Sequence, residues 1–189
     1  MSAPSLEADC SQCAALCCVL LPFDKSEAFG FDKAGGEPCR HLAGDHSCRI
    51  HDELDARGFR GCVRFDCHGA GQRVVQEVFK GADWRTDPDL MAPMSDAFQK
   101  MRGIHELLVL LAEAGRLPLK RSQRANLERL HTALTPQEGF TPSILSGFDL
   151  AARKVEVYAF LADLKDLAIE VMEPEQLRKS VAVSHPRNA

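Results

Sequence analysis

Apolar residues recur at helical spacing mainly in the second half of the chain. Their spacing predicts three helices, over about residues 95–114, 119–134 and 149–172. The expected helix boundaries are Ser95 as an N-cap, Gly115, Thr135-Pro136 and Pro174. The residues expected to face inward are Phe98, Met101, Ile104, Leu107, Leu108 and Leu111 in the first helix, Leu127, Leu130 and Leu134 in the second, and Leu150, Val157, Leu161, Leu164, Ala168 and Val171 in the third. This pattern predicts a mainly α protein with a C-terminal three-helix region.

The first half of the chain has little periodicity and many turn-forming residues, and no set of strands is predicted. A short helical stripe is expected over residues 72–80, formed by Val74, Val75, Val78 and Phe79. Residues 87–93 are predicted to be a linker and residues 139–147 a loop. Because an irregular segment buries little apolar surface, we expect bound metal to stabilise it. The predicted division is a cysteine-rich metal-binding domain at 1–84, a helical domain at 85–173 and a flexible tail at 174–189.

All eight cysteines lie in the first half of the chain. They are Cys10, Cys13, Cys17, Cys18, Cys39, Cys48, Cys62 and Cys67. The N-terminus lacks a basic start followed by an uninterrupted apolar run, so no secretion signal is expected and the chain is predicted to be cytoplasmic. Clustered cysteines in a reducing compartment indicate metal ligands, whereas a disulfide framework is the alternative for a secreted chain.

The spacing of the cysteines bears on which metal they would bind. Thiolates are soft ligands that favour zinc or iron–sulfur clusters. Structural zinc sites usually combine two close pairs, but this chain has a single CxxC, at Cys10 and Cys13, and the adjacent pair Cys17-Cys18. Iron–sulfur sites accept more varied spacings, so an iron–sulfur cluster is the first expectation and zinc the second. Adjacent side chains point apart, so Cys17 and Cys18 can both bind most easily if they serve different metal atoms. All eight cysteines are candidate ligands, and His51 is a candidate histidine ligand.

Three segments carry a family resemblance: CSQCAALCCVLLPF at 10–23, GEPCRHLAGDHSCRIHDEL at 36–54 and RGFRGCVRFDCHGAGQ at 57–72. In this order they resemble the YkgJ-type domain, a family described as zinc- or iron-chelating that shares its cysteine pattern with flagellin lysine methylases. The string IHELL at 104–108 adds a closer resemblance to the N-terminal region of actinobacterial proteins that end in pentapeptide repeats, which are absent here. The resemblance implies metal binding and assigns no substrate.

Histidines close to the cysteines raise a further possibility. Cys39-x-His41 and Cys48-x2-His51 imitate the two halves of a Rieske ligand set, but the short spacer between His41 and Cys48 is tight for two loops that clasp a cluster. The alternative is that the nearby histidines are loop residues or donate hydrogen bonds to thiolate sulfur. These histidines are His41, His46, His51 and His68.

Other features of the chain argue against several functions. His105 shares a helix face with Phe98, Met101 and Leu108, so we expect a hydrogen-bonded core or interface residue. The basic residues near the second helix are Arg116, Lys120, Arg121, Arg124 and Arg129. No aromatic residues interleave with them and the net charge is −4, so no nucleic-acid or membrane surface is expected. The sequence assigns no protein or small-molecule partner and no oligomeric state.

Three functions are compatible with these features. The first is a metal-binding protein that holds an iron–sulfur cluster or zinc through clustered thiolates. The second is a metalloenzyme with an open metal position at the domain interface, near His105 or Trp84. The third is a redox- or metal-responsive interaction module that uses the basic helix. No motif names a reaction.

Overall fold

The computed structural model of the protein describes residues 4–167 and is mainly helical. The long helices are α4 (Met91–Ala114), α5 (Arg121–Leu134) and α7 (Leu150–Asp163), and the short ones are α1 (Leu16–Leu20), α2 (Arg60–Arg64), α3 (Ala70–Arg73) and α6 (Pro142–Ser146). Between residues 4 and 167 there is no strand, only isolated bridges that pair Phe23 with Lys33, Ser26 with Phe29 and Leu42 with Cys48. The mainly α prediction is confirmed. Two predicted segments lie outside the described residues: residues 168–172 of the third helix and the tail at 174–189.

Helix α4 begins earlier than the sequence predicts. The predicted linker at 87–93 is wrong, because a 3-10 turn at Pro88–Leu90 leads directly into α4 at Met91. The Asp87 carboxylate accepts a hydrogen bond from the Asp89 amide at 3.2 Å and caps this turn. Pro93 lies in the first turn of α4. Backbone N–H groups there have no partner within the helix, so the missing N–H of proline costs no hydrogen bond.

The predicted loop at 139–147 also contains a helix. The Thr141 hydroxyl accepts a hydrogen bond from the Ile144 amide at 3.2 Å, and Pro142 occupies the first helical position of α6. The loop prediction is therefore wrong for residues 142–146. The stripe expected over 72–80 is helical as far as Val78: α3 starts at Ala70 and widens into a π-turn at Val74–Val78, and Phe79 and Lys80 lie beyond the helix.

The described chain forms two compact units, the first from residues 4–106 and 135–150 and the second from residues 107–134 and 151–167. The first contains all eight cysteines. Its core includes Leu16, Val74, Phe98, Met101 and Ile104, each at most 1% exposed. Buried residues of the second include Leu107, Leu108, Leu111, Leu130, Leu134 and Val157. The inward faces expected for the first helix are confirmed, whereas the boundaries drawn at 84 and 173 stay predictions. Within residues 4–167 no helix is long and apolar enough to cross a membrane.

Candidate functional site

Helix α1 carries the adjacent cysteines Cys17 and Cys18. Its buried residues Leu16 and Val19 flank the pair and anchor the helix in the core of the first unit. The chain enters α1 through Ala15, which has a left-handed backbone with φ 53°, a conformation that costs alanine on the order of 1 kcal/mol. The Sγ atoms of Cys17 and Cys18 are 3.9 Å apart, and both side chains are partly buried. The fold therefore holds two thiols side by side.

We call Cys10, Cys13, Cys17 and Cys67 the first cysteine set, because Cys10, Cys13 and Cys67 lie around the start of α3 and the Cys13 and Cys67 thiolates contribute to the raised pKa of Cys17. The Cys13 amide donates a hydrogen bond to the Cys10 carbonyl at 3.3 Å, and the Ala70 amide donates to the Cys67 carbonyl at 2.9 Å. A Cβ atom added to Gly71 would lie 2.6 Å from Cys13 Sγ. Cys13 therefore packs directly on α3, a few residues after Cys67.

Two glutamines hold the N-terminal segment against α3. The Gln72 side chain donates to the Glu7 carbonyl at 3.0 Å, and the Gln76 side chain donates to the Gln12 carbonyl at 2.9 Å. Both bonds join residues more than sixty positions apart in the chain. They explain how a segment without periodicity keeps a defined position.

We call Cys18, Cys39, Cys48 and Cys62 the second cysteine set. The Cys39 amide donates to the Cys18 carbonyl at 3.0 Å, so the loop that carries Cys39 lies along α1. The Leu42 amide donates to the Cys39 carbonyl at 2.9 Å, and Leu42 pairs with Cys48 in an isolated antiparallel bridge. Backbone contacts therefore connect Cys18, Cys39 and Cys48 in series.

Aromatic packing brings Cys62 to the same region. The Cys62 amide donates to the Phe59 carbonyl at 3.0 Å. The Phe59 ring is 4% exposed and packs edge-on against His41 and Phe31, at ring-centroid distances of 5.3 and 5.2 Å. Since His41 follows Cys39 by two residues, this cluster ties α2 to the Cys39 loop.

Within the first set the thiols affect one another electrostatically. Burial raises the pKa of Cys13 to about 12, and the Cys67 and Cys10 thiolates raise it further. Burial also raises the pKa of Cys10, with contributions from Cys67 and Cys18. The pKa of Cys17 is raised first by its hydrogen bond with Cys18 and by burial, and then by Cys18, Cys13 and Cys67. These effects are those expected of neighbouring thiols, and they extend to Cys18.

The second set shows the same behaviour. Burial raises the pKa of Cys62 to about 11, and the thiolates of Cys18, Cys39 and Cys48 add to the rise. Burial likewise raises the pKa of Cys48, with contributions from Cys18 and Cys39. In contrast, the hydrogen bond from Cys17 lowers the pKa of Cys18 to about 7. Of the two adjacent thiols, Cys18 is therefore the one that ionises first.

A buried lysine supplies positive charge beside the second set. Lys33 is 6% exposed, and its ammonium donates to the carbonyls of Val19 and Leu21, both at 2.8 Å, and of Ala34 at 3.0 Å. Burial lowers the pKa of Lys33, whereas the Cys39 and Cys18 thiolates oppose that change. Sequence reasoning missed this residue, because a lysine in a turn-rich segment carries no pattern that distinguishes it from an exposed one.

Most histidines near the cysteines have other partners. His46 Nε2 lies 2.8 Å from the Asp83 carboxylate, and His68 Nδ1 lies 3.3 Å from Asp66. His51 is exposed and lies 3.4 Å from Asp52. Its positive form would help to lower the pKa of Cys18, so it is near the second set, and its role as a ligand stays a prediction.

His105 is fully buried and joined to the backbone beside the first set. Its Nδ1 hydrogen-bonds to the His68 carbonyl, and Arg73 Nη1 lies 3.4 Å from its Nε2. Arg73 in turn pairs with Glu77 at 2.7 Å, and Glu77 accepts a hydrogen bond from the Phe140 amide at 2.6 Å. A hydrogen-bonded core histidine was expected at this position and is confirmed.

All eight cysteines are free thiols in the structure. In the described part of the chain, no group of three or more His, Cys, Asp or Glu side chains is arranged to hold a metal ion as the side chains stand. The thiols are therefore gathered in two neighbourhoods without converging on one point. Metal binding at all eight cysteines stays a prediction.

We expect Gly71→Ala to lower the free energy of unfolding by about 1–3 kcal/mol, because the new Cβ would lie 2.6 Å from Cys13 Sγ. Gly44→Ala is the matched control, since a Cβ at Gly44 meets no atom within 4 Å. Urea unfolding of both variants under reducing conditions measures the difference. Equal midpoints for the two variants would show that Cys13 does not pack on α3 as described.

The comparisons with known proteins identify one relative. The chain is 36% identical over 177 residues to an uncharacterised protein of Bacillus subtilis (strain 168), YybG, and the match covers 94% of this chain and 63% of that protein. The chain thus spans less than two thirds of the relative's length. No protein-family profile matches the chain, and no solved structure matches it. The resemblance to the YkgJ-type domain stays a prediction.

Proposed function

We propose that this chain is a metal-binding protein that holds an iron–sulfur cluster or zinc through its clustered cysteine thiolates. One observation carries the proposal. The fold brings together cysteines that are far apart in the chain: the Cys39 amide donates to the Cys18 carbonyl, the Sγ atoms of Cys17 and Cys18 are 3.9 Å apart, and Cys13 packs on Gly71, four residues after Cys67. A chain that gathers eight free thiols in one compact unit must keep them protonated or neutralise them, and a bound metal does the latter.

The resistance of the thiols to ionisation supports the proposal further. Burial first, and then repulsion by the Cys67 and Cys10 thiolates, raises the pKa of Cys13 to about 12. A soft cation would replace this repulsion by ligand bonds and release protons on binding. The proposal requires the thiol groups to turn toward a common point in each neighbourhood, because their present arrangement does not hold an ion. Such a turn is a rotation about the Cα–Cβ bond from one staggered rotamer to another.

A lysine beside the second cysteine set suits a negatively charged metal–thiolate group. Cys13, Cys17 and Cys18 are partly buried, and Lys33 places a cation beside Cys18 and Cys39. Backbone amides and a nearby cation stabilise thiolate charge around a metal. These features fit both a cluster and zinc, so the identity of the metal is left to measurement.

Anaerobic purification of the full chain, followed by iron, sulfide and zinc quantitation and a visible spectrum, tests the proposal. An iron–sulfur cluster would give sulfur-to-iron charge-transfer absorption with bound sulfide. Zinc would leave the protein colourless with stoichiometric metal. Protein that contains neither, and that takes up neither on reconstitution, would refute the proposed function.

The two other functions compatible with the sequence stay predictions. For the metalloenzyme, the residues named beside an open position are engaged internally: Trp84 donates to the Ala14 carbonyl at 2.7 Å, and His105 is fully buried. For the interaction module, part of the basic surface is paired, since Arg116 lies 3.0 Å from Glu113. Neither function gains a specific supporting contact.

A further inference from the structure

We infer that the chain holds two separate four-thiolate metal centres, and that the adjacent residues Cys17 and Cys18 belong to different centres. The first centre takes the first cysteine set and the second centre takes the second. This inference rests on the proposed metal-binding function and assigns a ligand to each of its sites. The chain order of the ligands is nested: the second set, which runs from Cys18 to Cys62, lies between Cys17 and Cys67.

The coordination chemistry requires more than one centre if all eight thiols bind. A structural zinc ion takes four protein ligands, and an iron–sulfur cluster is usually held by four cysteines. Eight thiols therefore match two complete ligand sets, with no thiol left over and no histidine needed. This count agrees with the positions of the histidines, because His46 and His68 are paired with the carboxylates of Asp83 and Asp66.

Contacts of the backbone favour the nested division over a sequential one. In a sequential division, Cys10, Cys13, Cys17 and Cys18 would form one centre, and Cys39, Cys48, Cys62 and Cys67 the other. However, the Cys39 amide donates a hydrogen bond to the Cys18 carbonyl, and Cys13 packs on Gly71, four residues after Cys67. The first contact places Cys18 with Cys39, and the second places Cys67 with Cys13. Both placements disagree with the sequential division.

The adjacent pair explains how the two centres can lie close together. Successive residues of a helix point about 100° apart, so Cys17 and Cys18 face different neighbourhoods from one short helix. Their Sγ atoms are nevertheless only 3.9 Å apart. Helix α1 would thus contribute one ligand to each centre and join them through a single peptide unit.

Double substitutions separate the nested division from the sequential one. Metal per chain is measured after anaerobic purification of the full chain as wild type, Cys10→Ser/Cys67→Ser and Cys62→Ser/Cys67→Ser. We expect Cys10→Ser/Cys67→Ser to keep half of the wild-type metal, because both substitutions fall in the first set. Cys62→Ser/Cys67→Ser should lose all of it, because one ligand is removed from each centre. The sequential division predicts the reverse, and that result would overturn the inference.

A titration without substitutions guards against variants that fail to fold. Co²⁺ added to the reduced wild-type chain should saturate at about two equivalents, with the absorption of tetrahedral cobalt–thiolate sites. Saturation at one equivalent would overturn the two-centre inference while leaving the proposed function intact. No uptake of Co²⁺ and no metal in the purified protein would refute the proposed function itself.

Discussion

Replacing Phe98 by alanine should lower the free energy of unfolding by about 3–5 kcal/mol. The Phe98 side chain is 1% exposed on the inward face of α4. Its ring lies 3.7 Å from the position where a Cβ of Gly71 would be, so it also supports the segment of α3 on which Cys13 packs. Removal of the ring leaves a cavity that the surrounding helices can fill only in part. Urea unfolding followed by circular dichroism measures the loss.

Tyr158→Ala is the control for this substitution. Tyr158 is an aromatic residue of a long helix, but it is 55% exposed, so its removal should change the free energy of unfolding by no more than about 0.5 kcal/mol. If Phe98→Ala cost as little as Tyr158→Ala, the inward face assigned to α4 would be wrong.

Acidification from pH 6.5 to pH 4 should destabilise the protein through His105 by about 3 kcal/mol. Burial lowers the pKa of His105 to about 4 in the folded state, and the nearby Arg73 contributes to that change. The unfolded chain binds a proton near pH 6.5, while the folded chain stays neutral at this residue until about pH 4. The unfolded state therefore gains protons first, and stability falls as the pH falls through this range. Below the folded pKa the contribution no longer changes.

His105→Gln isolates this effect, because glutamine retains hydrogen-bonding groups but does not titrate. Urea midpoints of wild type and His105→Gln are compared at pH 7 and pH 4. The wild type should lose more stability than the variant, even though acid also weakens any metal–thiolate bonds in both proteins. Parallel losses in the two proteins would contradict the assignment of a buried neutral imidazole.

Helices with many regularly spaced apolar residues were predictable from the sequence, but the start of α4 and the short helix α6 were not. The inward face of α4, from Phe98 to Leu111, follows directly from its spacing. The start of α4 was placed too late because Pro93 was interpreted as a breaker, although proline is tolerated in a first helical turn. Helix α6 was missed because Thr141-Pro142 can start a helix as well as a turn.

The gathering of the cysteines was predictable, whereas their division into sets was not. Clustering in the sequence pointed to shared metal sites, and the adjacency of Cys17 and Cys18 favoured different metal atoms for these two, but the spacing did not assign the other six cysteines. The division depends on long-range contacts, such as the hydrogen bond between Cys39 and Cys18 and the packing of Cys13 on Gly71. Contacts of this kind leave no local pattern in a sequence.

X-ray absorption at the metal edge of the anaerobically purified chain tests the metal–thiolate proposal most directly. The account predicts a first coordination shell made of sulfur alone, at about 2.3 Å for zinc or for the irons of a cluster, with an iron–iron distance only in the cluster case. A first shell dominated by nitrogen or oxygen, or protein without bound metal, would contradict it.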